Sequence, residues 1–373
     1  MTNEITILFN DYILRHPNSY KKKYKFWNSI TRDNFYKNLD FISTYILRRI
    51  NSGNMFFKPY IGKVIQSKEK ERLICIPSLD DLLSQKILHN RLQDIIEQKL
   101  SKNNINFAFR KQISLQDFFL KIIESIKNGK KFMIKTDVEK FGNSINHEVM
   151  KQVIDKNIID ENLKKILKRY ISSTIFYNDK IIHLKKGLPQ GGILTSDFEN
   201  LYLNSADEDF LAEKNDDIEM FRYADDIILL GESAYAVNKA FLKLQMILKE
   251  KYDLDIYSKN SIKYMEKVID TKYSINLLGF VLKNDKIDLP LYKIKMIKAN
   301  ILNILYANDS FDNKVFSISN YLKNNQSIRY NFNLITSKKT IWYIYDWTRK
   351  ILSKYYGHIY KKKLDIKYLQ FFK

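Results

Sequence analysis

The sequence holds one cysteine, Cys75, among its 373 residues. A single thiol excludes an internal disulfide and fits a reducing, cytoplasmic setting. No apolar run approaches the roughly 20 residues of a membrane-spanning helix, so no membrane partner is expected. The opening segment, "MTNEITILFNDYILRHPNSY", places acids early and lacks the basic-then-apolar order of a secretory leader. Proline and glycine are scarce, at 5 and 10, so each one marks a boundary rather than a linker. Acid is also in short supply: 42 Asp and Glu face 63 Lys and Arg, a formal charge of +21. That excess points to a polyanionic partner, nucleic acid ahead of a membrane surface. A hydrophobic share of 45% excludes a disordered chain, and the length suits two or three domains.

The positive charge is uneven. "KKKYK" at 21–25 and the run from Arg349 to Lys373 are dense in it. The C-terminal run interleaves Tyr355, Tyr356, Tyr360, Tyr368, Phe371 and Phe372 with lysines. Aromatics among cations suit base stacking over phosphate contacts. A lysine-rich solvated helix face backed by core aromatics produces the same pattern, and both readings stand.

Residues 1–57 read as helical, and 58–77 as a two-stranded hairpin stopped by Pro77. Leu82, Leu83, Ile87, Leu88, Leu92, Ile95 and Ile96 follow a helical period over 80–100, and a second helix covers 114–127. "KFMIKTDV" at 131–138 is strand-like, with Asp137 near its end. Helices follow over 147–173, then a hairpin at 174–186 turning on Asn178-Asp179. "GLPQGG" at 187–192 leads into a helix that Thr195, Ser196 or Asp197 would cap. After a hairpin around Asp225 come a helix at 233–251 and strands near 253–257 and 276–282. From 291 the pattern is helical and basic. The order β, α, β-hairpin, α, β in the middle is that of a split βαβ sheet, and the fold class is α+β.

"FRYADDIILLG", residues 221–231, sets Asp225 and Asp226 side by side between apolar runs. An Asp-Asp pair is a common hairpin tip. The other reading is that both carboxylates converge on metal ions. They meet Asp137 only if its strand is a neighbour in the same sheet. A strand end and a hairpin tip let charges cluster without entering the core. Such a cluster needs neutralising, and Mg²⁺, with oxygen ligands and substrate phosphates, does that.

Taken in order, "TDVEKFGNSI", "GLPQGGILTSDFENLYL", "FRYADDIILL", "LDIYSKNSIKY" and "LLGFVL" resemble the palm motifs of reverse transcriptases. Upstream, "KERLICIPSLDDLLSQKIL" and "NINFAFRKQIS" resemble the fingers motifs of the bacterial members. The resemblance covers about residues 58 to 285. It implies a right-hand polymerase: an N-terminal helical extension (1–57), fingers (58–130), a palm with a fingers insertion (131–285), and a basic helical thumb that binds RNA (286–373). It implies RNA-directed DNA synthesis from deoxynucleoside triphosphates with two Mg²⁺ ions, for which Mn²⁺ would substitute. Asp137, Asp225 and Asp226 match the catalytic, metal-binding acids, and the Val138 carbonyl would face a metal. Gln190 and Gly191 match the loop that touches template and nucleotide. Arg72 matches a fingers base on the triphosphate, and Lys259 the basic residue after the hairpin; a plain surface charge is the alternative for both. Tyr223 would lie near the primer end, and Leu278-Gly279 match the primer grip.

Three departures stand out. The family's second aromatic after the first acid, a barrier to the ribose 2′-hydroxyl, is replaced: Phe141 is followed by Gly142. Either sugar discrimination is weakened or Phe141 takes the role over. Gly192-Ile193 replace a usual Ser-Pro, and Asp81 stands where an arginine is common. With neither a zinc-type Cys/His cluster nor an added nuclease constellation, the chain resembles the retron or phage-defence type. That implies a dedicated noncoding RNA as template or primer, a cDNA product and a role in antiviral defence. A homo-oligomer or a neighbouring effector protein belongs to the same expectation. Trp342, Tyr345, Trp347 and Tyr356 are the candidate RNA contacts at the C-terminus. Two alternatives remain: template-independent or protein-primed DNA synthesis from the same site, and a non-catalytic, maturase-like RNA-binding protein.

Overall fold

The computed structural model describes residues 37–66, 71–213, 217–256, 269–283, 286–324 and 338–356. Lys259, "KKKYK" and the basic aromatic segment beyond Tyr356 lie outside the described residues. So does most of the helical reading of 1–57; its described part, 37–57, is helical over α1, Leu39–Asn51, and leaves the helix after Asn51 to run on to β1 without one.

Two β-hairpins build a first sheet. β1 (Tyr60–Gln66) pairs antiparallel with β2 (Glu71–Ile76). Helices α2 (Leu79–Leu100) and α3 (Leu115–Lys127) follow. Ser78 caps α2 and Ser114 caps α3, the latter in a reciprocal capping box with Asp117. The chain then enters β3 (Phe132–Asp137), makes the short turn α4 (Phe141–Ser144), and runs through α5 (His147–Asn157) and α6 (Glu161–Ile171). β4 (Thr174–Tyr177) and β5 (Lys180–His183) form the second hairpin, its tip at Asn178 and Asp179, both at positive φ. β4 lies parallel to β1, giving a sheet ordered β2-β1-β4-β5.

The second sheet carries the acids. Helix α7 (Thr195–Ala212) leads to the hairpin β6 (Ile218–Tyr223) and β7 (Asp226–Gly231), followed by α8 (Ala234–Tyr252) and the short β8 (Ile269–Asp270). The order is β6-β7-β3-β8, antiparallel throughout. β3 and β7 are apolar on both faces because both faces are covered. Ile134, Ile227 and Leu229 join the core that includes Leu201, Val237, Ala240 and Leu244 of α7 and α8. Met133, Ile228 and Leu230 join Phe118, Phe119 and Ile122 of α3. Helix α7 is buried nearly all round, between α2, α5 and α8, which explains its weak amphipathic pattern.

Two strand expectations change. Residues 253–257 do not form a strand in their described part; Ile256 makes a single bridge to Val138 after α8 is capped by Asp253, which is left-handed. Residues 276–282 are two strands, β9 (Ile275–Leu277) and β10 (Phe280–Lys283), because Leu278 and Gly279 turn the chain back at φ +47° and +75°. β11 (Lys286–Asp288) completes that sheet. Helices α9 (Leu291–Tyr306), α10 (Phe311–Asn324) and α11 (Lys338–Tyr356) end the described chain. Ile297, Ile301, Ile344 and Leu352 of α9 and α11 share one core with Leu277 and Leu282.

Candidate active site

The register of β3 on β7 sets Asp137 directly opposite Asp226. Opposite residues project to the same face, with Cβ atoms about 4.5–5.5 Å apart. Tyr223 flanks Asp226 on the other side, and its ring meets Phe118 edge-on at 5.7 Å. Asp225 sits in the two-residue turn after Ala224, which takes φ +57°. Val138 is buried, donates its N–H to the Asp225 carbonyl at 3.3 Å, and bridges to Ile256. The end of β3 is thereby tied to the turn that bears the acids.

Like charges directly opposite are unfavourable in a sheet. Burial is the main cause that pushes the Asp226 carboxyl up; Lys135 pulls it down and the Asp225 charge raises it again. Lys135, two residues before Asp137 on the same face, has its Nζ 3.5 Å from Asp226 Oδ1. A fourth acid, Glu199 of α7, is raised to about 7 by burial and then by the Asp225 charge. Among the described residues no three Asp, Glu, His or Cys side chains close on a single point. The donor set nonetheless fits a hard divalent cation. Asp137 and Asp226 are carboxylates paired across one sheet end with Asp225 beside them, all oxygen ligands whose mutual repulsion a cation relieves.

The glycine loop is clamped from three sides. Leu188 N–H donates to the Gly142 carbonyl at 2.8 Å, and Gln190 Nε2 to Asn143 Oδ1 at 3.0 Å. Cys75 N–H of β2 donates to the Gln190 carbonyl at 2.7 Å. Gln85 Oε1 of α2 accepts from Ile193 N–H at 2.9 Å. A side chain on Gly191, at φ +103°, would press on the Cys75 carbonyl at 3.2 Å. Arg72 is exposed on β2, on the same face as Ile74, whose Cγ2 would meet any side chain placed on Gly191. The cap expected from Thr195, Ser196 or Asp197 is absent: Leu194 takes the cap position without a side-chain bond. Asp197 is held instead by His89 Nδ1 at 2.7 Å and Gln93 Nε2 at 2.9 Å.

Phe141 does not reach this face. It is 4% exposed, with its ring tilted against Tyr202 in the core, so it is not available to replace an aromatic at Gly142. Asp81 also faces inward; its Oδ2 accepts from Lys58 N–H at 2.9 Å. The Leu278-Gly279 turn is covered by α9, where Lys293 Nζ lies 4.8 Å from the Phe280 ring centroid. Burial lowers the Lys293 ammonium.

Sequence reasoning passed over Glu199, Lys135, Asp207 and Arg222. Arg222 is fully buried within "FRYADD". Its Nε and Nη2 donate to Asp207 at 3.0 and 2.6 Å, and its Nη1 donates to the Ala224 carbonyl at 3.0 Å. A charged residue inside an otherwise apolar strand was the available signal, because such a residue demands a buried partner.

An α+β fold whose antiparallel sheet presents paired carboxylates beside a hairpin turn is the palm of a polymerase. Residues 61–282 match the family model "Reverse transcriptase (RNA-dependent DNA polymerase)", and the chain belongs to that family. The Group II intron-encoded protein LtrA of Lactococcus lactis subsp. cremoris is 25% identical over 167 residues, 44% of this chain and 27% of that protein. This chain thus spans about a quarter of the length of the curated relatives it matches. Among solved structures, telomerase from Candida albicans in complex with a TWJ fragment of telomeric RNA superposes with a TM-score of 0.51 at 15% identity. It covers 90% of this chain and 66% of that one. Apo telomerase from Candida tropicalis gives 0.52 at 14% identity, covering 89% and 64%. At that identity the likeness shows the fold. Among the described residues no helix is long and apolar enough to cross a membrane.

Proposed function

We propose that this chain is an RNA-directed DNA polymerase whose catalytic centre is Asp137, Asp225 and Asp226. The observation that carries the reading is the register pair Asp137–Asp226 with Asp225 on the adjoining turn. Asp137, Asp226 and the Val138 carbonyl would hold divalent cations, with Asp225 completing the charge. When bound, two such ions supply the Lewis acidity that activates a primer 3′-oxygen and stabilises a leaving pyrophosphate. The chain's own residues do the rest. Gln190 and Gly191, anchored to β2, place backbone against the incoming nucleotide and template. Arg72, on the same β2 face, grips the triphosphate. Tyr223 and the Leu278-Gly279 turn position the primer end. Lys259 is assigned to the nucleotide on the resemblance of its motif.

The finer reading is a retron-like or defence-associated enzyme that copies a dedicated noncoding RNA into cDNA. The motif resemblance and the +21 charge support it. Primer extension on an RNA template with Mg²⁺ and dNTPs tests the polymerase; Asp226→Asn should lower the rate about 1,000-fold or more, several kcal/mol of lost metal-assisted stabilisation. Undiminished extension by Asp226→Asn refutes the assignment. Sequencing the DNA made in cells tests the template: the complement of one RNA supports the finer reading, and a template-free tract overturns it.

A further inference from the structure

Helix α7 carries five acids: Asp197, Glu199, Asp207, Glu208 and Asp209. Four are engaged. Asp197 is held by His89 and Gln93, and Asp207 by Arg222. Glu208 meets Lys156 and Asn204, and Asp209 meets Lys251 and Tyr252. Glu199 differs. Among the described residues no hydrogen bond or ion pair engages its carboxyl, and its charged neighbour is another acid, Asp225.

The Glu199 side chain crosses from α7 to the turn after β3. Its Oε1 stands 3.2 Å from the point where a side chain on Gly142 would begin, and Gln190 Nε2 is 3.9 Å from that point. The lack of a side chain at Gly142 leaves the carboxyl open to whatever lies beside Asp225. The carboxyl is half-buried and its oxygens are not sealed from water, so a donor arriving with a ligand would take the place of solvent there. The ligand chemistry can be narrowed. A phosphate offers no donor and would be repelled by a carboxylate. A base amino group would make the site read base identity, which an enzyme copying a template leaves to pairing. A sugar hydroxyl meets neither objection.

We propose that Glu199 is a specificity-determining residue of the nucleotide site: its carboxyl accepts a hydrogen bond from the 2′-hydroxyl of the incoming sugar, so the site takes ribonucleotides as well as deoxyribonucleotides. The inference rests on the polymerase reading above. A carboxyl oxygen accepts whether or not the group is ionised, so the contact does not depend on its protonation.

Single-nucleotide addition tests it, with the full chain, an RNA template, an annealed DNA primer and Mg²⁺. Each protein is given a dNTP, the matching rNTP, and a 3′-deoxyribonucleoside triphosphate that keeps only the 2′-hydroxyl. In Glu199→Ala the ratio of rNTP to dNTP kcat/KM should fall at least about 3-fold and up to roughly 100-fold, chiefly through KM for the rNTP, the range expected for a lost hydrogen bond to a neutral or a charged carboxyl. Gly142→Ala should move the ratio the same way, because its Cβ crowds Oε1. The 3′-deoxy substrate should track the rNTP. Each ratio is internal to one protein, so partial loss of folded material cancels. An unchanged ratio in both variants, or a 3′-deoxy substrate that tracks the dNTP, overturns the proposal while the polymerase stands. A wild-type protein that adds none of the three overturns the polymerase reading itself.

Discussion

Asp207→Asn should weaken this protein far more than a typical charge removal, because the partner it abandons has no access to water. Arg222 is 0% exposed and gives Asp207 hydrogen bonds through both Nε and Nη2. Removing one member of such a pair leaves a buried charge without compensation, at a cost of about 3–5 kcal/mol. Domains of this kind are stable by roughly 5–15 kcal/mol, so the variant still folds but with a clearly lower urea midpoint by circular dichroism. Asp207→Leu combined with Arg222→Met removes both charges and fills similar volume with apolar atoms. That double variant should regain most of the lost stability. It should not regain activity. Arg222 Nη1 also donates to the Ala224 carbonyl, and Ala224 holds the left-handed position just before Asp225. Without that donor the turn loses a restraint, and primer extension should stay at least about tenfold down, as expected for roughly 1.4 kcal/mol of lost positioning. A single variant that loses under about 1 kcal/mol refutes the electrostatic argument. A double variant restored in both stability and extension refutes the positioning argument.

Two other expectations follow from the same packing. Asp81 is buried, and burial together with the Asp80 charge raises its carboxyl from 3.8 to about 7. Its favourable contribution is therefore complete at low pH and lost as pH rises through 7. The wild type should lose on the order of 2 kcal/mol between pH 5 and pH 8 from this group, and Asp81→Asn should flatten that slope in urea unfolding; equal slopes would remove Asp81 as the cause. Gly187→Ala puts a side chain at φ +78° and 2.8 Å from the Asn143 backbone, so it should cost about 1–3 kcal/mol and detach the glycine loop from the β3 turn. A Gly187→Ala protein with wild-type stability and extension would show that the clamp is dispensable.

The parts of this molecule that were legible in its sequence are those fixed by short-range chemistry. The strand-like runs at 132–137 and 226–231 had to lie in a doubly covered sheet, and Asn178-Asp179 had to be a tight turn. The same locality explains the misreadings. "LLGFVL" reads as one strand until Leu278 and Gly279 are seen to fold back, and one bridge at Ile256 took the place of an expected strand. The acids could be named as a set from the resemblance of their motifs, and the β3–β7 register places Asp137 opposite Asp226, whereas their supports could not be named. Arg222 finds Asp207 across a helix-to-strand packing, and Lys135 faces Asp226 through the sheet register.

Gly142 shows the limit most sharply. As a sequence feature it reads as a missing barrier, with Phe141 the candidate replacement. The fold removes that option by burying Phe141 against Tyr202, and it brings Glu199 from another element to the vacant position. Which side chain fills a gap left by glycine is decided by how α7 crosses the turn after β3, and no local pattern encodes that crossing. A substitution at Gly142 is therefore a substitution in the surroundings of Glu199, and the two positions should be coupled when varied together.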